Sequence, residues 1–186
     1  MANKGLKICL VLSFLFLIIL TAVVVTLFLT IFKPKDPNIT VRPVGLENFN
    51  LSLLTNLTAN VSLGMVITME NPNYGSFEYP KATGYVNFDD SIVGEVPIEG
   101  ELVPARDQIA VNTWANFMVE KLVTDTKFWN DVLSGSLNFT STAALPGKVH
   151  MFKILKLKAT VYTTCDFSIN ITSRNVDNKC FSKIKL

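Results

Sequence analysis

The sequence predicts a mainly β domain, a β-sandwich with one inserted α-helix, preceded by a single transmembrane helix. Three observations predict it. From Ile8 to Phe32 the chain carries no charged side chain. Beyond that run, short apolar–polar alternations recur between turn residues. Within them one stretch, Asn116 to Leu133, changes to a 3.6-residue period. Strands, one helix and more strands suit two sheet layers with a helix packed on them.

As a helix, the run from Ile8 to Phe32 would be about 37 Å long, enough to cross a hydrocarbon core of about 30 Å. A cleaved secretory signal has an apolar stretch of about 7–15 residues before a small-residue cleavage site. Here the exit reads Leu29-Thr30-Ile31-Phe32-Lys33-Pro34, too bulky for that site, so an uncleaved signal anchor is expected. The hydroxyls of Ser13, Thr21, Thr26 and Thr30 can bond carbonyls one turn back. No acid, base or G-x-x-x-G within the run suggests transport or tight helix pairing. Cys9, at the inner edge, is a candidate for palmitoylation, with a small apolar filler as the plainer reading. The expected division is 1–7 cytosolic stub, 8–32 anchor, 33–44 stalk and 45–186 outer domain. Pro34, Pro37 and Pro43 give the stalk its extended character.

The basic flanks do not orient this anchor. Lys4 and Lys7 precede it, while Lys33, Lys35 and Arg42 follow. Glycan acceptors speak more clearly. The pattern N-x-S/T occurs at Asn38, Asn50, Asn56, Asn60, Asn138 and Asn170, against about two or three expected by chance. All lie after the anchor, and Asn71 is excluded because Pro72 follows it. Cys165 and Cys180 are expected to pair in an oxidising lumen, with a stabilisation of about 3 kcal/mol. Together these predict a type II protein with its N-terminus in the cytosol and its C-terminal domain outside.

The formal net charge of +2 equals Lys4 plus Lys7, so the remainder is balanced but uneven. Acids dominate from Gly45 to Leu133 (Asp89, Asp90, Glu95, Glu99 and Glu101 among them), bases from Lys148 onward. Adjacent strands from the two halves would neutralise each other. The sharper reading is a basic C-terminal edge that attracts polyanions such as pectin or lipid head groups. Nucleic acid is not an expected partner for a domain facing away from the cytosol.

Asn60 to Glu70 alternates with Val61, Leu63, Met65, Ile67 and Met69 on one face. Asn71-Pro72-Asn73 ends that strand. Lys81–Phe88 and Ile92–Val96 read as a hairpin around Asp89-Asp90-Ser91, with another strand near Gln108–Thr113. In the helix, Met118, Val119, Leu122, Trp129 and Leu133 form the apolar stripe, Asn116 is the expected cap, and Gly135 the left-handed stop. Strands are then expected at Ser136–Ala144, Val149–Phe152, Lys156–Thr163 and Asp166–Thr172.

No catalytic constellation is legible. His150 is the only histidine, which precludes a two-histidine metal site, and no metal site or cofactor is expected. P-loop, G-x-S-x-G and Ser-x-x-Lys patterns are absent. A small type II Golgi glycosyltransferase is the enzyme alternative, and the chain lacks the Asp-x-Asp that most of these need.

Several stretches resemble a known family. They are Val41-Arg42-Pro43-Val44-Gly45-Leu46-Glu47-Asn48-Phe49, Met69-Glu70-Asn71-Pro72-Asn73-Tyr74-Gly75-Ser76-Phe77 and Gly84-Tyr85-Val86-Asn87-Phe88. After a basic stub and one span, they resemble the plant late-embryogenesis-abundant group 2 proteins, in particular the membrane-anchored harpin-induced-like branch. The resemblance implies a fibronectin-III-like β-sandwich with one helix, no enzymatic activity, and a place in stress or defence responses at the plasma membrane, with vacuolar, lysosomal or other endomembrane residence as the alternative. It carries no catalytic residues; Asn71, Pro72 and Asn73 match its structural turn.

The expected function is therefore a non-catalytic, membrane-anchored glycoprotein, an adhesion, scaffold or binding module between plasma membrane and cell wall. Its expected partners are a cell-wall polysaccharide or a membrane protein. One alternative is a lipid-binding domain whose groove or interior takes an acyl chain, with Met65, Met69 and Met118 as adaptable lining. Another is a self-assembling homo-oligomer joined through an edge strand such as Ala159–Thr163.

Overall fold

The computed structural model describes residues 2–31, 33–44, 61–151, 155–173 and 175–186. The chain divides into two compact units, Met1–Pro34 and Lys35–Leu186. The first contains α1, Ala2–Ile31. Its stretch Lys7–Leu27 is long and apolar enough to cross a membrane by length and composition, a test that an N-terminal signal sequence also passes. Thr21, Thr26 and Thr30 each turn the hydroxyl back onto a carbonyl one turn earlier, at 2.8–3.0 Å, so none leaves a polar group unmet in an apolar surround.

The second unit is one continuous ten-stranded sheet. Its strands are β1 (Asn38–Val44), β2 (Val61–Glu70), β3 (Ser76–Tyr79), β4 (Ala82–Phe88) and β5 (Ser91–Ile98). They continue with β6 (Glu101–Val103), β7 (Gln108–Phe117), β8 (Ser136–Met151), β9 (Leu155–Asn170) and β10 (Asn175–Lys185). Every pairing is antiparallel, and the path runs β1-β2-β7-β5-β4-β8-β9-β10. Strand β8 is long enough to serve three neighbours. It pairs with β9 along its length, with β4 at Thr140–Thr142, and with β3 at Lys148–His150, while β6 lies beyond β3.

The two ends of this path meet. Asn178 Nδ2 on β10 donates to the Val41 carbonyl on β1. Ile184 N donates to Asp36 Oδ1 at 2.9 Å. Side-chain bonds thus bridge the seam where no ladder forms, and the sheet is a nearly closed, barrel-like wall. This corrects the two-sheet, fibronectin-III-like sandwich. The long β8 and β9 carry hydrogen bonding round the curve that a sandwich would interrupt, and alternation along a strand does not say whether a sheet faces another or curls on itself.

Inward residues follow the two-residue period: Ile39 and Val41 on β1, Met65, Ile67 and Met69 on β2, Ala159, Val161 and Cys165 on β9 are all buried. Phe88, edge-on to Phe128 at 5.9 Å between centroids and tilted to Phe139 at 5.5 Å, fills one end of the core.

Several elements differ from expectation. Asn38–Val44, read within a stalk, is strand β1, paired with β2 from Asn38↔Glu70 to Val44↔Gly64; it tolerates Pro43 because only one side is laddered. The four strands expected after Gly135 are two, because Thr164-Cys165 and Leu145–Lys148 continue the ladder unbroken. β3, β6 and β10 were not foreseen. Ala159–Thr163 is not an edge, since β9 has β8 and β10 on its two sides.

The single helix is two, α2 (Val119–Val123) and α3 (Thr126–Ser134). Asn116 does not cap; it lies in β7 and its side chain accepts from Ser62 Oγ at 2.7 Å. The cap is Asp125, whose carboxylate accepts from Lys127 N at 2.8 Å and so starts a new helix inside the expected one. Phe128 takes the buried place, 1% exposed, and Leu133 is 85% exposed. Gly135 ends α3 at φ 82°, as expected.

Candidate functional site

The polar turn after β2 is densely hydrogen-bonded. Asn71, 5% exposed, donates through Nδ2 to the carbonyls of Gly75 (2.8 Å) and Pro104 (3.0 Å), and accepts at Oδ1 from Asn73 N (3.0 Å). Its own N–H donates to the Asp107 carbonyl at 2.9 Å. Asn73 then clamps the start of the unit, accepting from Lys35 N at 2.7 Å and donating to the Lys35 carbonyl at 2.8 Å. Arg106, in the left-handed region at φ 59°, donates from Nη1 to the Pro72 carbonyl at 2.9 Å and lies over the Tyr74 ring. Pro72 leaves this pattern undisturbed because it has no N–H to satisfy. Asn-Pro-Asn thus joins the lead-in to β1, the turn after β2 and the turn before β7. Arg106 was not legible from the sequence as a partner of this turn.

The glycan acceptors divide by position. Asn38 is exposed on β1 with Nδ2 3.2 Å from Glu70 Oε2. Asn138 on β8 and Asn170 at the end of β9 are also exposed; Asn170 Oδ1 accepts from Ser173 N at 2.9 Å. Asn50, Asn56 and Asn60 lie outside the described residues. Cys165 and Cys180 face each other in the β9–β10 register and are joined by a disulfide. Its removal by Cys165→Ala with Cys180→Ala is expected to cost about 3 kcal/mol. Thermal unfolding of the detergent-solubilised chain checks this; an unchanged midpoint would contradict it. Cys9 is exposed and free in α1.

Tyr79 on β3 is 2% exposed, and its Oη has no hydrogen-bond partner among the described residues. Burial, with the nearby Glu101 carboxylate adding to it, pushes its pKa up to about 12 from 10.0. The folded chain therefore holds the phenol proton after the unfolded chain has released it. Stability falls between about pH 10 and pH 12, by roughly 2 kcal/mol. Tyr79→Phe is expected to remove that share of the alkaline slope and to gain about 1 kcal/mol at pH 7. Urea unfolding at pH 7 and pH 11 checks both, and a destabilised Phe variant would show that the hydroxyl is bonded.

No group of three or more His, Cys, Asp or Glu able to hold a metal occurs among the described residues. His150 Nε2 on β8 lies 2.9 Å from Glu78 Oε2 on β3. Among the described residues, the interior of the sheet includes two voids of about 40 Å³ each. One is lined by residues including Met65, Ile67, Leu145 and Phe167, the other by residues including Leu63, Phe117, Phe139 and Ile169. Ligand pockets measure about 300–1,000 Å³, so neither void is a preformed acyl site. Of the methionines proposed as lining, Met65 and Met69 face the first void and Met118 neither.

No family model matches the chain. A late embryogenesis abundant protein of Arabidopsis thaliana is 29% identical over 175 residues, which cover 91% of this chain and 80% of that one. The solved structure of a protein from Archaeoglobus fulgidus aligns over 82% of this chain and 99% of that one, at 6% identity and a TM-score of 0.37. A likeness of that size carries no argument.

The family reading is corrected by these findings. The late-embryogenesis-abundant group 2, harpin-induced-like resemblance implied two packed sheets. The chain instead folds its strands into a single, nearly closed sheet stapled by Cys165–Cys180, and a 29% relative does not establish membership. The stress-response and defence-response readings came only through that resemblance and fall with it. Membrane and glycoprotein status is likewise not carried by the sheet fold, and the α1 criterion is length and composition alone.

Proposed function

We propose that the chain is a non-catalytic binding module, tethered by α1 and displayed on the non-cytosolic side of a membrane, with the plasma membrane as its site. The observation that carries this reading is the Cys165–Cys180 staple in the same unit as three exposed acceptors, Asn38, Asn138 and Asn170. A disulfide between cross-strand neighbours persists in oxidising compartments, and α1 supplies a stretch long enough to span. A wall formed from ten strands with a packed interior leaves its outer faces and loops as the means of contact with protein or polysaccharide partners.

The test is crosslinking on intact cells with a membrane-impermeant reagent, followed by identification of what is joined to the tagged chain. Specific partners, joined above the level of a charge-matched secreted control anchored by the same α1, are expected. Labelling absent from intact cells and present only after permeabilisation would overturn the reading.

A further inference from the structure

The uneven charge seen in the sequence has a spatial outcome that neutralisation between halves does not describe. β9 pairs with β8 on one side and β10 on the other, and β9, β10 and the end of β8 come from the basic portion of the chain. Along β9 the odd residues Ala159, Val161 and Cys165 are buried, so the even residues face outward. The register then gathers Lys148, Lys156, Lys158, Lys183 and Lys185, all exposed, at one end of this outer face. Lys148 stands opposite Lys158, and Lys156 opposite His150; Lys185 stands opposite Thr160, and Lys183 opposite Tyr162. The acids beside the group are Glu78, opposite Lys148, and Asp36, whose Oδ1 accepts from Ile184 N at 2.9 Å. Asp166 lies further along β9, opposite Lys179. In the β8–β9–β10 register no acid stands opposite Lys156, Lys158, Lys183 or Lys185.

Two aromatic rings stand in the same face. Tyr162 is 46% exposed and Phe181 57% exposed. Phe181 pairs with Thr164, two residues along β9 from Tyr162, so the two rings are diagonal neighbours. Each carries an ammonium group. Lys185 Nζ lies 5.2 Å from the centre of the Tyr162 ring, and Lys179 Nζ 5.0 Å from that of Phe181. Asn138, opposite Ser168, and Asn170, opposite Ser136, occupy the other end of the face. Glycans on those acceptors would start about 20 Å along β9 from Tyr162 and leave the lysine–aromatic end uncovered.

We propose that this face binds an acidic polysaccharide, a polymer of uronic acid sugars, with its carboxylates on the lysines and its sugar rings on Tyr162 and Phe181. The proposal rests on the displayed-module reading above and names the chemistry of its partner. Lysines two residues apart on a strand stand roughly 7 Å apart, and neighbours across strands about 5 Å. Such an array meets a regular row of carboxylates with point charges that need no fixed fork geometry. A sugar ring also has apolar C–H faces, which exposed aromatic rings cover while the polar groups stay wet. A folded acidic protein would need carboxylates fixed in this one pattern. A polymer with one acid on every sugar offers both features along its whole length.

The test is fluorescence anisotropy of a labelled oligogalacturonate titrated with the full chain in a non-ionic detergent. Binding is expected at low salt, lost at about 1 M salt, and absent for the methyl-esterified oligosaccharide, whose carboxyl groups carry no charge. In a Lys158→Gln/Lys183→Gln/Lys185→Gln variant affinity is expected to fall about tenfold. Arginine at the same three positions keeps the charge and is expected to retain binding. Tyr162→Ala with Phe181→Ala is expected to weaken oligogalacturonate binding about tenfold. The same variant should bind polyglutamate, which has the charge and no sugar ring, as the unaltered chain does, and that retained binding shows that the face is still folded. Equal losses for both polymers, or polyglutamate bound as tightly as oligogalacturonate, would make the face a surface for acidic protein and overturn the proposal. No binding of oligogalacturonate at low salt would overturn the site and leave the displayed module standing. Crosslinks that form on cells only after permeabilisation would overturn the display, and this partner with it, whatever the anisotropy shows.

Discussion

Gly147→Ala is expected to destabilise the sheet by roughly 3 kcal/mol, a large effect for one methyl group. A Cβ at this position would meet the Glu78 carbonyl oxygen and lie 2.7 Å from ring atoms of Phe77. The first obstacle is backbone, held in the β3–β8 ladder one residue from Gly147, and cannot swing aside as a side-chain end would. The second is a buried ring stacked on Tyr79 at 5.9 Å. Relief requires β3 to part from β8, which would open the ladder that, among the described residues, joins the β3–β6 pair to the rest of the sheet. Gly84→Ala is the control. Its Cβ would meet Ala143 Cβ and the Thr142 carbonyl at 3.5 Å, ordinary contact distances, and its change is expected to stay within about 1 kcal/mol. Thermal unfolding of the two variants should separate their midpoints by about 6–12 °C; coincident midpoints would contradict the packing described.

Asn71→Ala is expected to cost about 2–4 kcal/mol, because it removes three bonds and leaves a buried carbonyl at Gly75 and a part-buried one at Pro104 without that donor. Asn71→Asp separates shape from hydrogen bonding. The carboxylate keeps an acceptor for Asn73 N but presents negative charge to the two carbonyls, so a loss of similar size is expected at pH 7. Both variants should also raise hydrogen exchange at Arg106 N, which donates to the Asn73 carbonyl at 3.0 Å. If exchange rises only at Asn73, the turn is local and does not join three segments.

What the sequence made legible follows from how local each signal is. Val61–Glu70 and the Asp89-Asp90 hairpin were readable because alternation and turn chemistry lie within a few residues. β3 and β6 were not, since strands of four and three residues are too short to show a period. β1 was hidden by its proline, which an edge position excuses. Curvature was the larger loss. Whether ten strands form two layers or one wall depends on β8 and β9 holding register for sixteen residues each, a long-range property that alternation does not encode. The helix misreading has a nearer cause: Asp125 both continues a polar face and caps a helix, and capping prevailed. Lys156/Lys158 and Lys183/Lys185 each show a two-residue spacing, but only the β9–β10 register brings the pairs together.

The central claim is that the sheet unit stands on the non-cytosolic side of a membrane, tethered by α1. Glycosidase treatment combined with protease protection on intact membranes tests it most directly. The account predicts a downward mobility shift, reduced in Asn38→Gln, Asn138→Gln and Asn170→Gln variants, and protection of the sheet unit from added protease in sealed microsomes until detergent is added. A chain that glycosidase does not shift, with the sheet unit digested on the cytosolic face of sealed microsomes, would contradict it.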